Sequence, residues 1–320
     1  MTDSTTADAG HQDQETRASG RPDAAGSEAH GVTDRARLAL PAAMVLFGIV
    51  SVQAGAGIAD KLFHEIPPAA VTGLRLWTSA VAMAIISGRG LTRALRDLAK
   101  RRAWADAGIA GSFGIALLIM NFSIYQSFAR IPLGVAVTIE FLGPLAVAVA
   151  GSRHLRDVGW VVLAAIGVAL LTEGGHGHLD LIGVLFAGVA GACWAAYIVL
   201  SSATGRRFPG SAGLAIAMLV AGILITPPAV AAGGDAMFRP AVLGTGAAIG
   251  ILSSVIPYRL ELEALRRMPM RLFGVWMSLE PAVAALIGLA LLGQHLSAVE
   301  WLAIGCVMIA CAGAASGALA

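Results

Sequence analysis

Two acidic side chains stand inside apolar stretches that repeat one another. Arg130-Ile131-Pro132 is followed twelve residues later by Pro144, and Arg267-Met268-Pro269 twelve residues later by Pro281, an offset of 137. The first stretch carries Glu140 and the second Glu280. A carboxylate in lipid is costly unless it is paired or wetted, so two at matching depth point to a shared internal cavity. At about 1.5 Å per residue, Glu140 sits about 12 Å along its segment and Glu280 about 13 Å along its own, counted from the other side. Both depths fall near the middle of a hydrocarbon core about 30 Å thick. Proline has no amide hydrogen, so Pro144 leaves the carbonyl of Glu140, and Pro281 that of Met277, without a helical donor. A carboxylate beside a freed backbone acceptor suits an ammonium group, a proton or a cation. Structural pairing with a neighbouring helix is the plain alternative.

Other polar groups fall within apolar runs. Arg75 is placed either to neutralise a glutamate or to meet a substrate carboxylate. Gln53, Asn121, Tyr125, Trp194, Tyr197 and Tyr258 are candidate cavity lining, with interhelical hydrogen bonding as the alternative for each. Asn121 and Tyr125 share a helix face at four-residue spacing, and the 137-residue offset carries Asn121 onto Tyr258. Arg259 and Glu263, four apart, read as an intrahelical ion pair with snorkelling ends. Glu261 points to another face of that helix, and Glu173 sits at a helix mouth. Trp77, Trp104, Trp160 and Trp301 read as interfacial anchors.

Much chemistry is excluded. The two lysines, Lys61 and Lys100, do not follow glycine, so no phosphate-binding loop can be written. His64-Glu65 runs into Pro67-Pro68 instead of a helical zinc motif, and no Gly-x-Ser-x-Gly elbow occurs. His176 and His178, two apart in a polar loop, read as loop residues, with a metal or pH-sensing role as the alternative. Cys193, Cys306 and Cys311 lie in apolar runs and act as small hydrophobes. The expectation is a protein that is not an enzyme and has no cofactor, metal or nucleic-acid partner; an intramembrane enzyme is the distant alternative.

The elements that must hold these groups follow from composition. The chain is 57% hydrophobic and 13% charged, with a mean hydropathy of +0.76. Soluble domains carry about 25% charged residues, so this is the membrane class. Residues 1–37 are polar and aperiodic, which predicts a disordered cytoplasmic tail without the apolar core of a signal peptide. From Leu38 onward, apolar runs long enough to cross a bilayer recur ten times: 39–58, 68–87, 105–128, 132–151, 157–173, 180–202, 211–232, 240–264, 271–292 and 297–318. With the N terminus inside, membrane-proximal cytoplasmic segments hold fifteen Arg and Lys, and external loops only Lys61, Arg130 and Arg239. That bias predicts both termini in the cytoplasm.

Five helices per half is an odd number, so the halves enter with opposite orientation. Val45-Leu46-Phe47 is echoed by Val184-Leu185-Phe186, and Ala165-Ile166-Gly167 by Ala303-Ile304-Gly305. The predicted fold is an all-α integral membrane protein of ten transmembrane helices, built as two inverted five-helix repeats, 38–175 and 176–320. Interrupted helices and midplane polar groups in such a duplicated bundle are a common transporter design. Gly246 and Gly250, and the group Gly183, Gly188 and Gly191, read as close helix contacts.

Several stretches resemble the EamA branch of the drug/metabolite transporter superfamily, and within it the bacterial threonine/homoserine exporters. They are Ser51-Val52-Gln53-Ala54-Gly55, Thr72-Gly73-Leu74-Arg75-Leu76, Pro132 to Val137 leading into Glu140-Phe141-Leu142-Gly143-Pro144, Gly191-Ala192-Cys193-Trp194-Ala195, and Met277-Ser278-Leu279-Glu280-Pro281-Ala282. The resemblance covers about 40–318. It implies a bacterial inner-membrane exporter of small amino acids driven by the proton gradient. Its partners would be a small zwitterionic amino acid, protons and membrane lipid. A multidrug exporter of the same fold is the nearest alternative; aromatic residues at 6% of the chain weigh against it.

Overall fold

A computed structural model of the protein describes residues 24–150, 156–173 and 179–317. The chain divides into two units, Met1–Ala39 and Leu40–Ala320. In the first unit the described residues, from Ala24, are helical, where composition suggested an irregular tail. The rest of that tail, His176, His178 and Arg153 lie outside the described residues, as does the side chain of Glu173.

Among the described residues, nine helices are long and apolar enough to cross a membrane, and one is shorter. We number them α1 (Ala39–Leu62), α2 (Pro68–Lys100), α3 (Trp104–Phe128), α4 (Leu133–Ala150), α5 (Val158–Leu171, the shorter one), α6 (Leu181–Gly205), α7 (Ala212–Phe238), α8 (Pro240–Leu265), α9 (Met270–Leu292) and α10 (Ala298–Ser316). They coincide with the ten apolar runs. The second run was expected to stop at residue 87; the helix instead kinks at Gly88, whose φ of +44° suits a residue without a Cβ, and continues to Lys100. Punctuation elsewhere is local: Pro68 and Pro240 sit in the first turns of α2 and α8. Ser297 and Glu300 exchange side-chain-to-backbone bonds at the start of α10, a capping box.

The outer surface carries large apolar side chains such as Phe47, Ile85, Leu185, Ile223 and Leu302. In water this would be a sticky patch; in a bilayer it is the lipid face. Small residues point inward, including Ala59, Ala70, Ala187, Ala190 and Ala217, each fully buried. In lipid this lets backbones approach, since apolarity alone does not drive helices together.

Three pairs of helices related by the sequence offset pack on one another and run antiparallel. Along α2 and α7, Gly73 meets Ala229, Gly222 meets Ala80, and Ser87 bonds Ser211 at 2.8 Å. Along α4 and α9, Gly134 lies against Ala285, and the Leu133 amide donates to Gln294 Oε1 at 2.9 Å. Along α5 and α10, Trp160 meets Gly313, and Gly167 meets Ala303 and Cys306.

Gly246 and Gly250 do form close contacts, against Leu74 and Thr78 of α2. On α6 the expectation is corrected in part. Gly183 presses on Ile131 and Gly191 on Glu140, but a Cβ at Gly188 would meet nothing within 4 Å. Trp77 is corrected as well: its indole donates to Thr226 Oγ1 at 3.0 Å and Gly222 O at 3.2 Å, so it clasps α7 rather than anchoring at an interface. Trp77→Phe keeps an aromatic ring, though a smaller one, and loses the donor. It should cost about 1 kcal/mol and lower the thermal midpoint in detergent by a few degrees.

Candidate functional site

The two glutamates sit where their helices break. α4 is helical over Leu133–Glu140, pauses at Phe141 and resumes over Leu142–Ala150. α9 is helical over Met270–Met277 and resumes over Glu280–Leu292. Pro144 and Pro281, which lack the amide hydrogen a continuous helix would use, lie just beyond each break. At the first break two backbones touch: a Cβ on Gly143 would collide with the Gly191 carbonyl, and one on Gly191 would stand 2.7 Å from the Glu140 carbonyl. The Glu140 carbonyl left free by Pro144 thus faces α6.

Between the helices lies a cavity of about 460 Å³. Gln53, Arg75, Asn121, Glu140, Trp194, Tyr197, Tyr258 and Glu280 all line it, as does Glu261. Both glutamates are buried, Glu140 at 9% exposure and Glu280 at 7%. Gln53 Nε2 donates to Glu280 Oε1 at 2.8 Å, while Gln53 Oε1 is buried without a partner. Tyr197 and Tyr258 share a hydroxyl hydrogen bond of 2.7 Å, and Asn121 Nδ2 donates to Leu117 O at 2.8 Å.

Tyr125 is the predicted lining residue that the structure places elsewhere. It is fully buried behind the cavity wall, against Phe63 and Phe128, with the Arg75 guanidinium 5.2 Å from its ring centre. Facing along a helix is not the same as facing a cavity, because the neighbouring helix decides what lies opposite. The Arg259–Glu263 pair is also corrected. Glu263 pairs with Arg267 and Arg266, and Arg259 is exposed.

The lining residues that were missed include Ser253, Ser254 and Pro257, with Ser278 and the rings of Phe128, Phe141 and Phe273. The signal for the first three was present in Pro257, inside the eighth apolar run. Lacking an amide hydrogen, it cannot bond to the carbonyl of Ser253, four residues back. The backbone answers with a π-helical turn over Ile251–Val255, closed by the Ile256 amide on Ile251 O. The carbonyls of this turn take side-chain donors instead: Ser51 Oγ on Leu252 O at 2.7 Å, and Arg75 Nη2 on Ser253 O at 3.3 Å. Ser254 Oγ bonds Ser79 Oγ at 2.8 Å.

Phe128 borders the cavity and also a second pocket of about 500 Å³, edged by Asp60, His64, Arg130 and Gln294 at the end where α1 meets α2 and α3 meets α4. In the other direction the lining reaches Phe273 and Ala315, near the start of α9 and the end of α10.

Residues 181–316 match the model of the EamA-like transporter family. The chain is 38% identical over 282 residues to "Threonine/homoserine exporter RhtA" of Salmonella typhimurium (strain SL1344), covering 88% of this chain and 92% of that protein. It is 38% identical over 276 residues to the protein of the same name from Escherichia coli (strain K12), covering 86% and 90%. An "Uncharacterized inner membrane transporter YedA" of Escherichia coli (strain K12) is 27% identical over 164 residues, half of this chain. One solved crystal structure superposes with a TM-score of 0.57 at 19% identity, covering 86% of this chain and 95% of that one, so the fold is shared.

Proposed function

Because this chain belongs to the EamA-like transporter family, a group of multi-pass membrane transporters rather than enzymes, we propose that it exports small amino acids of the threonine and homoserine type by alternating access. The observation that carries this reading is a cavity with acid and base facing it together. The buried Glu280–Gln53 pair supplies a carboxylate and an unmatched amide oxygen, a fit for an ammonium group. Arg75 opens onto the same space, a fit for a carboxylate, with Asn121 and the tyrosine hydroxyls as further donors. The 38% identity to exporters of that name over nearly their full length supports the substrate class.

Two inverted repeats, 38–175 and 176–320, would explain why α2 and α7, α4 and α9, and α5 and α10 pack as antiparallel pairs. With both termini in the cytoplasm, as the arginine distribution argues, the cavity's far lining at Phe273 and Ala315 lies on the cytoplasmic side, where cargo for export must load. One glutamate would carry a proton inward as the amino acid leaves, since a bare carboxylate does not cross lipid alone.

A multidrug exporter is the second reading. Although aromatics are few in the chain, Phe128, Phe141, Trp194, Tyr197, Tyr258 and Phe273 gather at the cavity. Everted vesicles separate the two. An inward-acid pH gradient should drive uphill uptake of labelled threonine and homoserine, a protonophore should stop it, and lipophilic cations should not compete. Uptake that only equilibrates would indicate a channel, and strong competition by cationic dyes would favour the second reading.

A further inference from the structure

We infer that the π-helical turn of α8 completes a carboxylate-binding subsite, in which the Ser253 hydroxyl and the Arg75 guanidinium together hold an organic carboxylate. The inference rests on the amino-acid reading only for the identity of the cargo; its geometry stands apart. Arg75 lies inside an apolar span, where a cation needs an anion or a set of acceptors. Among the described residues no carboxylate comes within ion-pair distance of it. One donor, Nη2, spends itself on Ser253 O at 3.3 Å, a long bond, and Nε is buried without a partner. The Tyr125 ring packs against the guanidinium and holds it in place.

Beside it, Ser253 Oγ is buried and also unpartnered, on a residue 6% exposed that lines the cavity. Unmatched buried polar atoms are uncommon, and each calls for an explanation. The orphan hydroxyl and the orphan Nε–H of the Arg75 guanidinium beside it together offer what a carboxylate requires: more than one hydrogen bond and one positive charge. The backbone shows why the serine stands there. Pro257 opens the helix, the π-turn follows, and the freed Ser253 carbonyl draws Arg75 to the hydroxyl's own residue. Gly55 of α1 makes room for the hydroxyl itself; a Cβ there would strike Ser253 Oγ.

Ser253→Ala is the decisive variant because the hydroxyl makes no hydrogen bond among the described residues, so a purely structural role predicts little effect. The full-length protein is assayed in two ways. In everted vesicles, the concentration of threonine for half-maximal uptake should rise about tenfold in Ser253→Ala, the worth of one hydrogen bond to a charged group. The wild type should prefer threonine to threoninamide, and the variant should lose most of that preference. In purified protein, 3-hydroxybutyrate, which has the carboxylate and no ammonium, should raise the thermal midpoint of wild type and not of Ser253→Ala. Arg75→Lys should behave like Ser253→Ala, since a lysine cannot offer the forked donors. If threonine is carried but threoninamide competes equally, or if Ser253→Ala matches wild type in both assays, the subsite is wrong while the exporter reading stands. If threonine is not carried yet 3-hydroxybutyrate protects wild type alone, the subsite holds and the cargo is another carboxylate.

Discussion

Glu280→Gln is expected to reduce threonine uptake in everted vesicles by about 30- to 4000-fold, while the protein reaches the membrane in normal amounts. The fold should tolerate the change because the amide keeps the shape and keeps an oxygen for the Gln53 Nε2 donor. What is lost is the charge. Removing one member of a buried charged contact costs about 2–5 kcal/mol, and each 1.4 kcal/mol is about tenfold. A second assay separates binding from proton carriage. Exchange of labelled for unlabelled threonine across the membrane needs no net proton movement. A glutamate that holds the ammonium fails both uptake and exchange, whereas one that only shuttles a proton keeps exchange. Glu140→Gln is assayed alongside, since Glu140 is buried in the same cavity. Wild-type uptake by both variants would remove both residues from the mechanism.

Among the described glycines, Gly143→Ala should be the most damaging substitution. Its Cβ would enter the Gly191 carbonyl, and the neighbouring Gly191 Cα would be only 3.1 Å away. The obstacle is backbone and cannot swing aside as a side-chain tip would, so the cost should be at or above about 1–3 kcal/mol, the usual range for overpacking. Thermal unfolding followed by fluorescence-detected size exclusion should show a clear drop in midpoint, or no monodisperse protein. Gly188→Ala on α6 is the matched control. With open space around its Cβ, it should be neutral or slightly stabilising, because alanine suits a helix interior better than glycine. Equal behaviour of the two variants would contradict the contact at the α4–α6 crossing.

The helices were legible because lipid leaves so few alternatives. Ten apolar runs gave the ten helices, and the prolines at 132, 144, 269 and 281 marked the starts and breaks of α4 and α9. Cavity residues were legible where polarity alone is costly in lipid, as for Gln53, Arg75, Glu140 and Glu280. Legibility failed where the answer depends on what lies opposite. Tyr125 shares a face with Asn121, yet Phe63 and Phe128 enclose it. Trp77 resembled an anchor until α7 supplied Thr226. Ser253 and Ser254 are common small residues in a helix, unremarked until Pro257, four places on, is asked where its missing hydrogen bond has gone.

Phe128 stands at the last turn of α3, where two open spaces meet. One ring of Phe128 divides the cavity from the pocket beside Arg130. The 137-residue offset makes Leu265, at the C-terminal end of α8, its counterpart. Under the alternating access proposed above, the opposite state would bring Leu265, exposed and outside the cavity lining here, to an inner door as Phe128 left the outer one. Two thin hydrocarbon doors, one aromatic and one aliphatic, would then take turns facing a solute that never meets both open.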